Sequence, residues 1–198
     1  MTTVVFDLGE TLFDETELWG SLADELGVPR LTFFAALGAL VARGQSHRRM
    51  FELFGSPARE DGANFFGRES LYPDALPCLD RLRDAGYRVG VAANVSATAR
   101  TAVDCLGELC VVGGAGEWGV EKPAPAFFER LIREVHAPPE EIAYVGDRVD
   151  NDVAPALAAG MTAVHVRRGP WGYLQEPPPQ AIAIRGLDEL PRALERRG

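Results

Sequence analysis

The sequence predicts an α/β protein: a doubly wound, mostly parallel sheet carrying one helical insertion. Three observations lead there. Short apolar runs rich in β-branched residues recur along the chain. Helical patterns separate them. The alternation breaks once, between residues 15 and 72, where helical patterns follow one another without an intervening strand. Strands alternating with helices favour parallel pairing, because each crossover needs a covering helix.

Taken in order, Val4-Val5-Phe6 is the first predicted strand. Further strands are expected at residues 88–93, 109–112, 142–145, 163–166 and 181–184. Each is short and apolar, as strands covered on both faces tend to be. Residues 74–85 place Leu76, Leu79 and Leu82 at helical spacing, and Gly86 ends that helix. Residues 97–106, 124–135, 152–159 and 187–196 carry the same pattern. Within the insertion, helices are expected at residues 18–26, 31–41 and 47–54, punctuated by Gly27-Val28-Pro29 and Gly44. Asp61-Gly62-Ala63-Asn64, Pro138-Pro139 and Pro177-Pro178-Pro179 are expected as loops or turns. The expected organisation is a core of residues 1–14 and 73–198 around an insertion of residues 15–72.

Composition narrows the function. The chain has 198 residues, 46% of them hydrophobic and 25% charged, which suits a globular protein with a buried core. A net charge of −9 repels phosphate backbones and argues against a nucleic-acid partner, while a local cation still lets a pocket accept a small anion. The 3 cysteines are an odd number with no C-x-x-C pair, so no disulfide framework is expected. No basic leader precedes the first strand, and no stretch reaches the ~18 apolar residues of a membrane helix, so a cytoplasmic protein without membrane contact is expected. Against 19 Arg stands one Lys, Lys122. A site that needs a compact ammonium rather than a planar fork resists replacement by Arg.

Sheets of this class gather ligands at the carboxyl ends of their strands. Asp7-Leu8-Gly9-Glu10-Thr11 follows the first strand, Asn94-Val95-Ser96 the second, and Gly146-Asp147-Arg148-Val149-Asp150-Asn151-Asp152 the fourth. Lys122-Pro123 opens a helix. Each Asp alone fits a turn or a helix cap. Together, at successive strand ends, they form a carboxylate cluster that is costly without a cation, and oxygen ligands of this kind suit Mg²⁺.

These segments resemble the haloacid dehalogenase-like (HAD) hydrolase superfamily, in its phosphatase-like branch with a helical cap inserted after the first motif. Asp7-Leu8-Gly9-Glu10-Thr11 is similar to its D-x-D-x-T, and Ala93-Asn94 stands at its second motif. Lys122-Pro123-Ala124-Pro125-Ala126-Phe127 matches K-P-x-P-x-x-F, and Gly146 to Met161 follow its acidic fourth motif. The resemblance implies that Asp7 attacks phosphorus and becomes an aspartyl-phosphate. It implies that Asp7, the Gly9 carbonyl and Asp147 bind Mg²⁺, with Asp152 supporting the metal site. Lys122 then offsets charge on Asp7 and on the transferring phosphoryl group. The implied reaction is hydrolysis of a small phosphorylated metabolite.

Two positions depart from the pattern. Family phosphatases carry a second Asp two residues after the nucleophile as acid and base, and here that residue is Gly9. Ala93 replaces a hydroxyl residue, leaving Asn94 as the polar group for substrate. Glu10 and His47 are the candidates to replace the lost acid, and Arg43, His47, Arg48 and Arg49 form a basic edge of the insertion suited to an anionic substrate. A catalytically weak ligand- or partner-binding descendant is the alternative reading. Family dehalogenases also lack the second Asp, but they do not need the acidic pair that Asp147 and Asp152 supply. The phosphonate-cleaving branch needs a cap Lys, which is absent here. His136 and His165 are expected to be structural.

Overall fold

The computed structural model describes residues 1–55, 67–95 and 103–196. Among them six strands form one sheet: β1 (Thr3–Phe6), β2 (Arg88–Ala93), β3 (Val112–Gly114), β4 (Ile142–Gly146), β5 (Thr162–Val166) and β6 (Ile182–Ile184). Their order is β3-β2-β1-β4-β5-β6, and every pairing is parallel. Phe6 is in register with Val91 on one side and Val145 on the other. The direction of winding therefore reverses at β1 and β4, and their carboxyl ends open on a common crevice.

Alternation along β1 serves both faces of the sheet. Val4 and Phe6 join Leu79, Leu82, Val164 and Leu190 on one side. Val5 joins Phe127, Phe128, Leu131 and Tyr144 on the other. The helices around the sheet include α4 (Ala75–Asp84), α5 (Ala115–Trp118), α6 (Pro125–Val135), α7 (Ala154–Ala158) and α9 (Leu190–Glu195). Between β1 and β2 lie α1 (Thr16–Glu25), α2 (Arg30–Ala42) and α3 (Arg49–Leu53). They bury an apolar cluster of their own from Ala23, Phe33, Leu37, Leu40, Val41 and Met50. The core contributes Trp171 to that cluster from α8 (Gly169–Leu174), which packs against α2. No single helix among the described residues is long and apolar enough to cross a membrane.

Three sequence expectations need correction. The third strand runs over Val112–Gly114 rather than residues 109–112. Gly113 and Gly114 look like turn residues, but a Cβ on Gly113 would sit 2.0 Å from the Trp118 ring, so close packing demands the missing side chain. In place of one helix over residues 152–159, a wide π-type turn (Val149–Val153) precedes α7, with Val153 N–H reaching the Arg148 carbonyl at 3.1 Å. Helix α8 was not anticipated, because Gly169-Pro170 and Gly172 mimic a loop while burial of Trp171 supplies the packing. The loop expected at residues 61–64, Ser96, and residues 97–102 of a predicted helix lie outside the described residues.

Candidate active site

Asp7 leaves β1 at its carboxyl end, with its N–H donating to the Val145 carbonyl at 2.8 Å. Asp147 leaves β4 beside it, and His165, buried on β5, is hydrogen-bonded through Nε2 to the Asp147 carbonyl oxygen at 2.9 Å. Asp152 comes from the wide turn, where Arg148 N–H donates to its Oδ2 at 3.0 Å. Lys122 enters from the other side. Its ammonium donates to Asp7 Oδ1 at 2.7 Å and to Asp152 Oδ1 at 2.6 Å. All four residues are buried.

Asn94 acts on Lys122 from the end of β2. Its Oδ1 accepts from Lys122 N–H at 2.7 Å and its Nδ2 donates to the Lys122 carbonyl at 2.9 Å. Both functions of the amide are thus engaged with the backbone that carries the ammonium. The loop after β1 is held by Arg168, whose Nη1 donates to the Thr11 carbonyl at 2.8 Å while Nη2 is bonded to Asp74.

The electrostatics follow from burial and crowding. Burial alone favours a neutral lysine amine, but the charges of Asp152 and Asp7 outweigh it and hold Lys122 above its usual range. Burial raises the Asp147 carboxyl, and the neighbouring Asp152 and Asp7 raise it further. One carboxyl oxygen from each of Asp7, Asp147 and Asp152 falls within 4.8 Å of the others. Asp147 Oδ2 is buried without a hydrogen-bond partner. An orphaned carboxylate oxygen inside a ring of carboxylates calls for a cation. A hard divalent ion such as Mg²⁺ matches this all-oxygen donor set.

The remaining predicted site residues lie around this cluster with different partners. Glu10 is buried with φ 51°, and both carboxyl oxygens are used. The Tyr72 hydroxyl donates to Oε2 at 2.6 Å and Glu15 N–H to Oε1 at 3.0 Å. His47 stacks edge-on against Trp19 and Trp171, with centroids 5.8 and 5.7 Å away. Burial, helped by the charges of Arg148 and Arg48, lowers its pKa to about 4. His47 is therefore neutral at pH 7 and poorly equipped to donate a proton. Arg48 is exposed, 4.0 Å from Glu121, the residue before Lys122.

Nothing in the sequence singles out Glu15. It is half-buried just before α1. Burial, then the charges of Glu10 and Asp7, push its carboxyl up to about 8. Tyr72 and Arg168 also went unnoticed; the Arg168 guanidinium lies 4.2 Å over the Tyr72 ring. An acidic residue within a few positions of Gly9 was the one available signal, and acidic residues are too common for that to discriminate.

Comparison with known proteins adds to this geometry. A family model for haloacid dehalogenase-like hydrolases matches residues 1–160. Glyceraldehyde 3-phosphate phosphatase of Methanopyrus kandleri is 38% identical over 109 residues, covering 50% of this chain and 45% of that protein. In that and several other curated relatives, the matched part is about half of the relative's length or less. A HAD phosphatase from Thermococcus onnurineus superposes with a TM-score of 0.66 at 25% identity, covering 98% of both chains. An L-2-haloacid dehalogenase from Xanthobacter autotrophicus superposes with a TM-score of 0.73 at 19% identity over 100% of both, a likeness of fold.

Proposed function

The chain belongs to the haloacid dehalogenase-like hydrolase family, and from that premise we propose that it is a Mg²⁺-dependent hydrolase of small phosphate monoesters, with Asp7 as nucleophile. The observation that carries this reading is the buried cluster of Asp7, Lys122, Asp147 and Asp152, with Asp147 Oδ2 lacking a partner. In this reading Asp7, Asp147 and the Gly9 carbonyl hold the metal, and Asp152 supports it. The metal, when bound, supplies positive charge against the phosphoryl oxygens.

The chain's own groups do the rest. Asp7 Oδ attacks phosphorus and takes the phosphoryl group. Lys122 keeps the Asp7 carboxylate aimed through its hydrogen bond to Oδ1, and its ammonium stabilises charge gathering on the equatorial oxygens. Asn94 fixes Lys122 through two backbone hydrogen bonds, which makes it a positioning residue first and a substrate contact second. Glu10 acts by holding the loop, since both its oxygens are already bound. Residues 15–72 serve as a cap over the crevice, and Arg48 and His47 stand on the cap side of it. The relative's name makes glyceraldehyde 3-phosphate a first substrate to try. A cytoplasmic setting, where such metabolites occur, completes the reading.

The test is steady-state release of phosphate from a panel of phosphorylated metabolites with Mg²⁺, in the wild type and in Asp7→Asn. Turnover in the wild type that disappears in Asp7→Asn supports the assignment. Saturable binding of the panel without turnover supports instead a ligand-binding descendant, the reading that Gly9 and Ala93 favour. Halide release from a 2-haloacid in the absence of metal would indicate dehalogenase chemistry.

A further inference from the structure

Position 9 has no side chain, yet the space beside it is filled. A Cβ built on Gly9 would lie 2.2 Å from Glu15 Oε1 and 2.7 Å from Glu15 Cδ. Gly9 is not among the glycines with left-handed backbone, so room rather than backbone angle is what its missing side chain supplies. The Glu15 carboxyl is anchored. Trp19 Nε1–H, one helical turn on, donates to Oε2 at 3.1 Å, and Glu15 N–H is held by Glu10. Oε1, the oxygen against Gly9, accepts no hydrogen bond from the described residues. Of the two glutamates near Asp7, Glu10 has both oxygens occupied and Glu15 has one available.

We propose that Glu15 is the acid–base catalyst of this site, its carboxyl delivered from the start of the helical insertion into the room that Gly9 leaves beside Asp7. The proposal rests on the phosphatase reading above and stands on placement. In the first half-reaction Asp7 Oδ forms a bond to phosphorus and the ester P–O bond breaks. The Glu15 carboxyl gives its proton to the departing oxygen, which leaves as the alcohol. In the second, the Glu15 carboxylate takes a proton from water as the water oxygen bonds to phosphorus and the Asp7–phosphorus bond breaks. Inorganic phosphate leaves, Asp7 is a carboxylate again and Glu15 is protonated again.

The test compares an aryl ester with a good leaving group, 4-nitrophenyl phosphate, with a simple alkyl phosphate, in the presence of Mg²⁺. Glu15→Gln keeps the size of the side chain and an acceptor for the Trp19 N–H. Its kcat/KM should fall about 10²-fold or more on the alkyl ester and about tenfold or less on the aryl ester, since a poor leaving group depends more on protonation. Acid quench and mass spectrometry of Glu15→Gln turning over the aryl ester should show phosphorylated Asp7 accumulating, because water is no longer activated. Mg²⁺ affinity by calorimetry should stay within about threefold of wild type, which a collapsed site would not allow. Adding Gly9→Asp to Glu15→Ala, which empties that space, returns a carboxyl to it and should restore part of the alkyl turnover that Glu15→Ala loses. If Glu15→Gln fails to fold, Glu15→Asp, which draws the acid back by one methylene, must show the same preferential loss on the alkyl ester. Equal losses on both esters, or no loss, overturn the role of Glu15 while leaving an active phosphatase. A wild type that hydrolyses neither ester and never labels Asp7 overturns the phosphatase reading and this inference with it.

Discussion

Replacing Lys122 by Met removes the ammonium and keeps most of the alkyl stem. The Lys122 ammonium makes two short contacts, 2.7 Å to Asp7 and 2.6 Å to Asp152, and lies 5.5 Å from the Tyr144 ring centroid. Met fills the same channel, so lost packing is a minor part of the effect. What remains is two buried carboxylates without their cation, with Asp147 beside them. Removing one partner of a buried ion pair costs about 3–5 kcal/mol. The lower end applies here, because the Asp7 side chain is 12% exposed and water reaches it. The assay is urea unfolding at neutral pH without divalent ions, in which the midpoint should fall at unchanged m-value. Adding Asp152→Asn should return part of the loss, with a coupling of about 1–3 kcal/mol between the two sites. Saturating Mg²⁺ should also recover part of it, since a cation among Asp7, Asp147 and Asp152 offsets the same charges. Lys122→Arg should not rescue, because the planar fork is larger than the buried ammonium it replaces. A loss below about 1 kcal/mol, or strict additivity with Asp152→Asn, would refute the view that Lys122 neutralises this cluster.

Three further outcomes are expected. In Asp147→Ala, Mg²⁺ affinity measured by calorimetry should drop about tenfold or more, as loss of even an outer-shell partner does; unchanged affinity sinks the metal assignment. Asn94→Ala removes both hydrogen bonds that fix the Lys122 backbone, and should lower kcat more than it raises KM, with a stability loss of about 1–2 kcal/mol by thermal unfolding. His47 carries a pKa lowered to about 4 against an ordinary 6.5, so the unfolded chain binds the proton more readily than the fold does. Its contribution is therefore full above pH 6.5 and lost as pH falls from 6.5 towards 4, at up to about 1.4 kcal/mol per pH unit. His47→Phe should flatten that part of the stability–pH curve, and a curve unchanged by the substitution would count against a half-buried, neutral His47.

The strands and most helices were legible because their signals are local. Val4 to Phe6, residues 88–93 and residues 142–145 announce themselves by β-branched runs, and the helix after Ala124 by Phe127, Phe128 and Leu131 on one face. Two of the three misreadings fell where a glycine or proline answers to packing that local patterns do not show. Gly113 makes room for Trp118, and Gly169-Pro170 starts a helix whose Trp171 is buried among residues of the insertion. Asp7 and Asp147 were recognisable because they follow apolar strands, Lys122 because it is the one Lys against 19 Arg, and Asp152 because it completes the acidic fourth motif of the family that the sequence resembles.

By itself, then, the sequence determined the alternation of elements and the strand ends at which charged groups collect, since backbone hydrogen bonding and apolar periodicity act over a few residues. Only the tertiary structure decided who meets whom. It brought Lys122 onto Asp7 across 115 positions, turned Asn94 from a free polar group into a clamp on the Lys122 backbone, and enclosed His47 between two tryptophans. It also laid the Glu15 carboxyl in the space beside Gly9. None of these has a periodic signature, because contacts between distant segments are set by how whole helices and strands pack, and packing is decided by the shape and volume of the assembled core.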